Sequence, residues 1–515
     1  MQSPEQSIRT IPALLDFCAQ AYGSREVFRW REREEIRSAT YARLAQDVGA
    51  LTAYFAETTS RDAHIAILGS NSYQWLLGWF SALCAGRVAV PLDPQLPVAD
   101  LLKMLERSDT ELLLHDKDFG DVAGAFPRGS MRLDRLPGRE GASGWPCAVQ
   151  PDDLGMIVFT SGTTGEPKGV MLTHWNFLSN VLSGNRASYR FLGTMWEGHV
   201  SLAVIPFFHT ASLNVGMLAQ LPGGNTVCIN SRLRNIQKDL VAFQPDCMFV
   251  VPLLAEGIYG QIWATAKKEG KDKLLRAMLG VSDALLRVKI DLRRRLFKRV
   301  LDAIGGKMFW MLCGGAALSE ELVAGFFRLG IELVPAYGLT ECSPGVTLSR
   351  YHKPLSVGQL MDCNEVRSEG GEIQVRGEHV FTGYYKDEQA TREAFTPDGW
   401  FKTGDLGYMD EDGYLFITGR IKNLIILSNG KNVSPEPLEQ ELMDLPYVKE
   451  ALVFEAGGEI TAELFLDNEV PDDAVRLEND LLALNRQLPV YQRIARTILR
   501  DTEFPRSTTA KIIRK

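Results

Sequence analysis

The chain has 515 residues, 45% of them apolar and 23% charged, which suits a soluble globular protein too long for one core and built from two or more domains. A formal charge of −8 and a pI near 5.6 argue against nucleic acid as the main partner. The eight cysteines are scattered without a C-x-x-C pair, which fits reduced thiols better than a disulfide frame or a zinc site. The start, Met1-Gln2-Ser3-Pro4-Glu5, has neither a basic n-region nor an apolar h-region, so no signal peptide is expected. The longest apolar stretch, Trp75 to Gly86, is too short to span a bilayer. The expected location is cytoplasmic, with contact at a membrane surface left open.

Residues 10–57 read as amphipathic helices around a short strand, Glu26 to Trp30. His64 to Leu68 is an apolar strand, followed by a helix from about Tyr73 to Cys84. Val88 to Leu92 and Leu112 to Leu114 are further strands, separated by a helix near Val98 to Arg107. Met156 to Phe159 reads as a buried strand, and it runs into Thr160-Ser161-Gly162-Thr163-Thr164-Gly165-Glu166-Pro167-Lys168-Gly169. Glycines let backbone approach a ligand closely, and hydroxyls and free N–H groups supply donors to an anion. This stretch predicts a phosphate-gripping loop at the end of a strand. It is not a Walker A loop, because Lys168 lies between Pro167 and Gly169.

Strands at 202–205, 247–251, 308–312 and 332–334 continue the strand–helix alternation of mainly parallel α/β layers. Ligands in such layers sit at the carboxyl ends of strands. Between residues 267 and 299 stand twelve Lys/Arg against four acids, a local balance of +8, with Leu285, Leu292, Leu296 and Val300 at helical spacing. Such a helix can lie on an anionic membrane, face an acidic partner, or be a solvated helix packed on the main body.

After about residue 370 turn-rich, alternating segments dominate (372–376 and 412–417). Past Arg420 the chain reads as a compact α+β domain. It has a strand at 424–427, a helix near Pro437 to Met443, strands at 451–454 and 461–466, and a helix at 474–488. The expected architecture is a large N-terminal α/β domain with a β-rich portion, 1–419, and a small mobile α+β domain, 420–515.

Five stretches accompany the loop: Pro206-Phe207-Phe208-His209, Ala336-Tyr337-Gly338-Leu339-Thr340-Glu341, Gly399 to Gly407 around Thr403-Gly404-Asp405, Gly419-Arg420-Ile421-Lys422-Asn423, and Phe504 to Ile512. In this order and spacing the chain resembles the adenylate-forming superfamily of acyl-CoA synthetases, adenylation domains and luciferases, from about residue 10 onward. Within it, the chain looks most like long-chain fatty acyl-CoA synthetases. The basic stretch leading into Cys313-Gly314-Gly315-Ala316-Ala317-Leu318 and the run from Gly419 to Glu436 carry that finer likeness.

The resemblance implies two half-reactions. A carboxylate attacks the α-phosphorus of ATP to give acyl-AMP and pyrophosphate; a thiol then takes the acyl group and releases AMP. It implies that Thr160, Ser161, Gly162, Thr163, Thr164, Gly165 and Lys168 wrap the β- and γ-phosphates. Glu341 would ligate Mg2+ with help from Thr160, and Thr340 would reach the α-phosphate. Tyr337 would stack on adenine beside Gly314, Gly315, Ala316, Ala336 and Gly338. Asp405, with two acceptor oxygens, would bind the ribose, reinforced by Arg420. Lys511 would bridge the substrate carboxylate and the α-phosphate, stabilising the transition-state charge. His209 joins these as a catalytic candidate.

Lys422 matches the hinge about which the small domain rotates, presenting Lys511 in one pose and the 428–432 turn in the other. Lys431 reads equally as a surface lysine or a phosphate contact for the incoming arm. One departure stands out: the residue before the catalytic lysine is commonly glycine, and here it is Ala510. At the acid pocket, Phe208-His209-Thr210-Ala211-Ser212 offers no carboxylate to pair an ammonium, which disfavours an amino-acid substrate. Phe207, Phe208, Leu213, Val215 and Met217 suit an alkyl or aryl acid, or plain core. The acceptor is coenzyme A, or the phosphopantetheine of an acyl carrier protein docked by the basic segment. A non-catalytic acyl-adenylate binder is the remaining alternative.

Overall fold

The computed structural model describes residues 7–137, 144–160, 167–192, 197–349, 351–427, 431–467, 473–506 and 512–514. They group into two compact units: residues 1–365 with 376–401, and residues 366–375 with 402–515.

The first unit holds two seven-stranded sheets. One has the order Gly383–Tyr384, Lys168–Thr173, Leu154–Thr160, Val88–Leu92, His64–Leu68, Thr110–His115, Gly129–Arg132. Its five later strands run parallel, and Lys168–Thr173 is antiparallel to both neighbours. The other sheet has the order Glu332–Ala336, Trp310–Gly314, Cys247–Val250, Val200–Ala203, Thr226–Ile229, Glu26–Glu32, Glu35–Thr40, parallel up to its last pair. The mainly parallel layers expected from the alternation are therefore present.

Period-two side chains give the second sheet two buried faces. Met248, Val250, Met311, Cys313 and Leu333 pack with Ala255, Ile258, Leu275, Leu279 and Phe326 of the helices Pro252–Lys268, Asp272–Arg287 and Glu320–Leu329. Cys247, Trp310, Leu312 and Val334 point the other way, toward Ala187 of the helix His174–Leu192. The helix Tyr73–Cys84 is apolar on nearly every side and is correspondingly buried nearly throughout. Its start is fixed by Ser72, whose Oγ accepts from Trp75 N at 3.1 Å. The apolar stretch too short for a bilayer is thus a core helix. Among the described residues no helix is long and apolar enough to cross a membrane.

Two expectations need correction. The basic stretch is not one helix through Val300: Asp272–Arg287 ends before Lys289, which takes φ 62°, and only short turns, Arg293–Leu296 and Lys298–Asp302, follow. Asp291 Oδ1 accepts from Arg293 N at 3.1 Å and restarts the chain there, so the leucine spacing is not carried by one axis. The strand expected at 424–427 is only Ile425–Ile426.

The second unit contains the greater part of a four-stranded sheet in the order Asn364–Glu369, Glu372–Gly377, Phe401–Met409, Leu415–Arg420. It also contains a three-stranded sheet of Val448–Ala456, Glu459–Leu466 and Arg496–Arg500. The latter packs Val453, Ala462 and Leu464 against Leu438 and Leu442 of the helix Pro435–Met443 and Leu477 of the helix Asp473–Gln487.

Candidate active site

In the first unit the strands Trp310–Gly314 and Glu332–Ala336 are parallel neighbours, and Gly314 pairs with Ala336 at their carboxyl ends. Gly315 follows with φ +96°, a conformation that suits glycine, so the strand can turn away sharply. After Ala336 the chain folds back on itself. Gly338 bridges Gly345, and a Cβ at Gly338 would lie 1.9 Å from the Pro344 carbonyl oxygen. Only glycine fits there. The half-buried Tyr337 is pinned through its backbone: its N–H donates to Thr347 Oγ1 at 2.9 Å, and its carbonyl accepts from Val346 N at 2.9 Å. Gly314, Gly315, Ala336, Tyr337 and Gly338 therefore share one rim, and Thr340 and Glu341 follow in a short 3-10 turn, Thr340–Cys342.

That turn is fastened by two buried amides. Asn180, in the helix His174–Leu192, donates from Nδ2 to Gly345 O at 2.7 Å and accepts from Gly345 N at 3.2 Å. Asn214, in the π-helical turn Ser212–Met217, donates to Ser343 O. Single π-turns of this kind recur at functional sites.

Glu341 Oε1 accepts the Tyr384 hydroxyl at 3.0 Å. The Tyr384 ring lies 4.9 Å from Lys168 Nζ, within cation–π range. Burial first, and the Glu341 charge second, push the Tyr384 phenol above its ordinary range, so it remains a donor. Tyr384 reaches this place because Gly383–Tyr384 pairs with Met171 and Val170, while Lys168 pairs with Thr160 across the hairpin. Lys168, Tyr384 and Glu341 are thus linked in one chain, and Thr160 faces Lys168 at the mouth of the loop. Ser161, Gly162, Thr163, Thr164 and Gly165 lie outside the described residues. Among those described, no group of three or more His, Cys, Asp or Glu could hold a metal. Glu341 as a single carboxylate still fits Mg2+, which keeps waters and takes phosphate oxygens.

In the segment expected to line the acid pocket, Asn71 ties the chain after Val200–Ala203: its Nδ2 donates to Ile205 O at 2.9 Å and its Oδ1 accepts from Phe207 N at 2.8 Å. Phe207, Leu213 and Met217 are fully buried, and Phe207 packs on Trp75. They are core. Val215 and His209 are only half-buried, and the His209 ring lies 4.1 Å from that of Phe208.

In the second unit Asp405 and Arg420 are directly opposed on antiparallel strands. Arg420 holds the buried carboxylate with both arms, Nε to Oδ1 at 2.5 Å and Nη2 to Oδ2 at 3.3 Å. Lys422 follows in the turn Ile421–Asn423, and burial, then the Arg420 charge, push its ammonium below the usual lysine range. Asp405, Arg420 and Lys422 are therefore gathered within this unit. Lys511 and Ala510 lie outside the described residues. The sequence reading missed Tyr384, Asn180 and Asn214; buried asparagines in otherwise apolar segments were the available signal.

Residues 15–385 match the profile of the AMP-binding enzyme family, and residues 422–515 match its C-terminal domain. The chain belongs to the AMP-binding enzyme family. Curated relatives of this AMP-binding enzyme include the long-chain-fatty-acid–CoA ligase FadD15 of Mycobacterium tuberculosis, 33% identical over 427 residues, covering 76% of this chain and 70% of that protein. A feruloyl-CoA synthase of Amycolatopsis sp is 30% identical over 500 residues, covering 92% of each. Among solved structures, an ATP-bound RpMatB-BxBclM chimera superposes with a TM-score of 0.78 at 24% identity, over 98% of this chain and 97% of that one. The O-succinylbenzoate coenzyme A synthetase of Bacillus subtilis in complex with AMP gives 0.77 at 24% identity, over 97% and 96%. The fold of the AMP-binding enzyme is that of these adenylate-forming neighbours.

Proposed function

We propose that this AMP-binding enzyme activates a fatty acid with ATP and transfers the acyl group to coenzyme A. The observation that carries the first half is the chain of Lys168, Tyr384 and Glu341, which joins one end of the Ser/Thr/Gly loop to the turn after Tyr337. In this reading the loop clamps the leaving pyrophosphate, and Tyr337, between Gly338 and the Gly314–Ala336 rim, receives the adenine. Thr340 donates to the α-phosphate. A Mg2+ ion held by Glu341, with Thr160 at the hairpin mouth, would neutralise phosphate charge. Asp405 and Arg420 take the ribose. Lys511 stabilises charge at the reacting centre, where two anions must meet. Residues 420–515 rotate about Lys422 to exchange Lys511 for the 428–432 turn before thiol transfer. His209 and Val215, partly exposed beside a buried aromatic core, border the acid site.

Two findings support a fatty acid. The relatives include long-chain-fatty-acid–CoA ligases at 33% identity, and the segment 206–212 has no carboxylate for a substrate ammonium. The test is pyrophosphate release across a panel of alkyl, aryl and amino acids, with coenzyme A and a pantetheinylated carrier protein as acceptors. Turnover with alkyl acids and coenzyme A is expected, and Lys511→Ala should abolish pyrophosphate exchange. Release with aryl acids alone overturns the fatty-acid assignment. Transfer only to the carrier protein overturns the acceptor, and unchanged exchange in Lys511→Ala removes that residue from the mechanism.

A further inference from the structure

Lys511 lies outside the described residues, but the segments that flank residues 507–511 are described, and both are tied to buried carboxylates within the second unit. Arg506 and Ile512 form an antiparallel bridge, and Ile513 N donates to Pro505 O at 2.9 Å. Lys511 is joined directly to Ile512, one member of that bridge. Glu450, on the strand Val448–Ala456, clamps the incoming segment. Its Oε2 accepts from Phe504 N at 2.6 Å, and its Oε1 accepts from Arg506 Nη2. Glu439, on the helix Pro435–Met443, clamps the outgoing segment. Its Oε1 accepts from Val453 N at 2.7 Å and its Oε2 from Arg514 Nη2, while Arg514 Nη1 donates to Val453 O at 3.3 Å. Arg514 also reaches toward the hinge turn: Glu436 Oε1 lies 3.9 Å from its Nη2 and accepts from Asn423 Nδ2 at 2.6 Å.

Both glutamates are buried, Glu450 4% and Glu439 8% exposed. A buried ion pair adds little to stability, because desolvation offsets much of its attraction. An arginine–carboxylate pair does fix direction as well as distance. Apolar packing does not hold the outgoing segment, since Ile513 is 47% exposed. The two pairs stand on opposite sides of one bridge, and each glutamate spends its second oxygen on a backbone N–H that sets its own position. A lysine that must place one ammonium between two anions needs a fixed base of this kind, because a shift of about 1 Å can cost roughly a hundredfold in rate. We propose that Glu450 with Arg506, and Glu439 with Arg514, are positioning residues that hold the segment bearing Lys511 for adenylation and take no part in thiol transfer. This rests on the role given to Lys511 under the proposed function.

The test uses two double variants of the full chain, Glu439→Gln with Arg514→Gln and Glu450→Gln with Arg506→Gln. Each removes a pair without leaving an uncompensated buried charge. In ATP–pyrophosphate exchange kcat should fall roughly a hundredfold with little change in the KM for ATP. Transfer from preformed acyl-AMP to coenzyme A should keep its wild-type rate, which also shows that the variant is folded. Placed on Lys511→Ala, either pair of changes should lower the residual exchange no further, because residues that act through one lysine are not additive. Wild-type exchange in either double variant overturns the proposal for that pair. Equal loss of both half-reactions overturns it, since that marks a disturbed domain, and so does a further loss on top of Lys511→Ala. Exchange that survives Lys511→Ala alone overturns instead the reading on which the proposal rests.

Discussion

Tyr384→Phe removes one hydroxyl and leaves the ring in place. Phe381 still packs on it at 4.9 Å, and Lys168 Nζ keeps its position 4.9 Å from the centroid. What is lost is the donation to Glu341 Oε1 at 3.0 Å. A hydrogen bond to a charged group contributes about 1.5–3 kcal/mol net. Both partners here are half-buried, which favours the lower end. About 1.5 kcal/mol corresponds to about a tenfold change in an equilibrium constant. If Glu341 holds Mg2+ and Tyr384 fixes its carboxylate, half-saturation by Mg2+ in ATP–pyrophosphate exchange should rise about tenfold. Direct titration of AMP, which carries no β- or γ-phosphate, should change far less. Transfer from preformed acyl-AMP to coenzyme A should be unaffected, and thermal stability should fall only slightly, by the one lost hydrogen bond. A variant with the wild-type Mg2+ dependence would refute the positioning role. Equal loss in both half-reactions would refute it as well, since that pattern marks a general disturbance of the unit.

Gly338→Ala places a Cβ 1.9 Å from a backbone oxygen, so the 338–345 bridge must open. Overpacking of this kind costs about 1–3 kcal/mol; AMP affinity measured by calorimetry should fall at least about fivefold, and undiminished affinity would contradict the role given to this turn. His174 and His379 are buried, and burial pushes each imidazole down to about 4. Both are neutral in the folded chain and take up protons on unfolding once the pH falls below about 6.5, so the stability they hold at neutral pH is lost between about 6.5 and 4. At pH 5.5 each should cost about 1.2 kcal/mol relative to pH 7. Denaturant unfolding at the two pH values checks this, and His174→Gln should flatten the dependence; an unchanged slope in that variant would exclude His174 as a source.

The elements legible in the sequence were those whose pattern and punctuation are local. Tyr73–Cys84 and Val98–Arg107 are legible as helices because Ser72 caps a nearly unbroken apolar run in the first, and Pro97 opens an apolar period in the second. The strand Glu35–Thr40 was missed because Glu35, Ile36, Arg37 and Ser38 are all exposed at a sheet edge, where no burial pattern is imposed. The same contrast holds at the site. Tyr337, Gly338, Thr340 and Glu341 are contiguous, so their grouping could be seen in the chain. Tyr384 meets Glu341 across 43 positions, and Asn180 meets Gly345 across 165. Nothing in the residues beside them announces a partner that far away; only the sheet pairing and the buried helix bring them there.

The two asparagines have a consequence for anyone wishing to alter which acid is accepted. In the proposed reading the turn Ser212–Met217 carries Val215 to the border of the acid site, and the same turn, with the helix His174–Leu192, supplies the amides that hold the 342–345 loop behind Glu341. Swapping that turn wholesale for that of a relative should therefore disturb the 342–345 loop together with the proposed acid site. Grafts that keep Asn180 and Asn214 and vary only half-buried positions such as Val215 separate the two effects. Libraries built that way should lose fewer members to failed adenylation than libraries built by segment exchange.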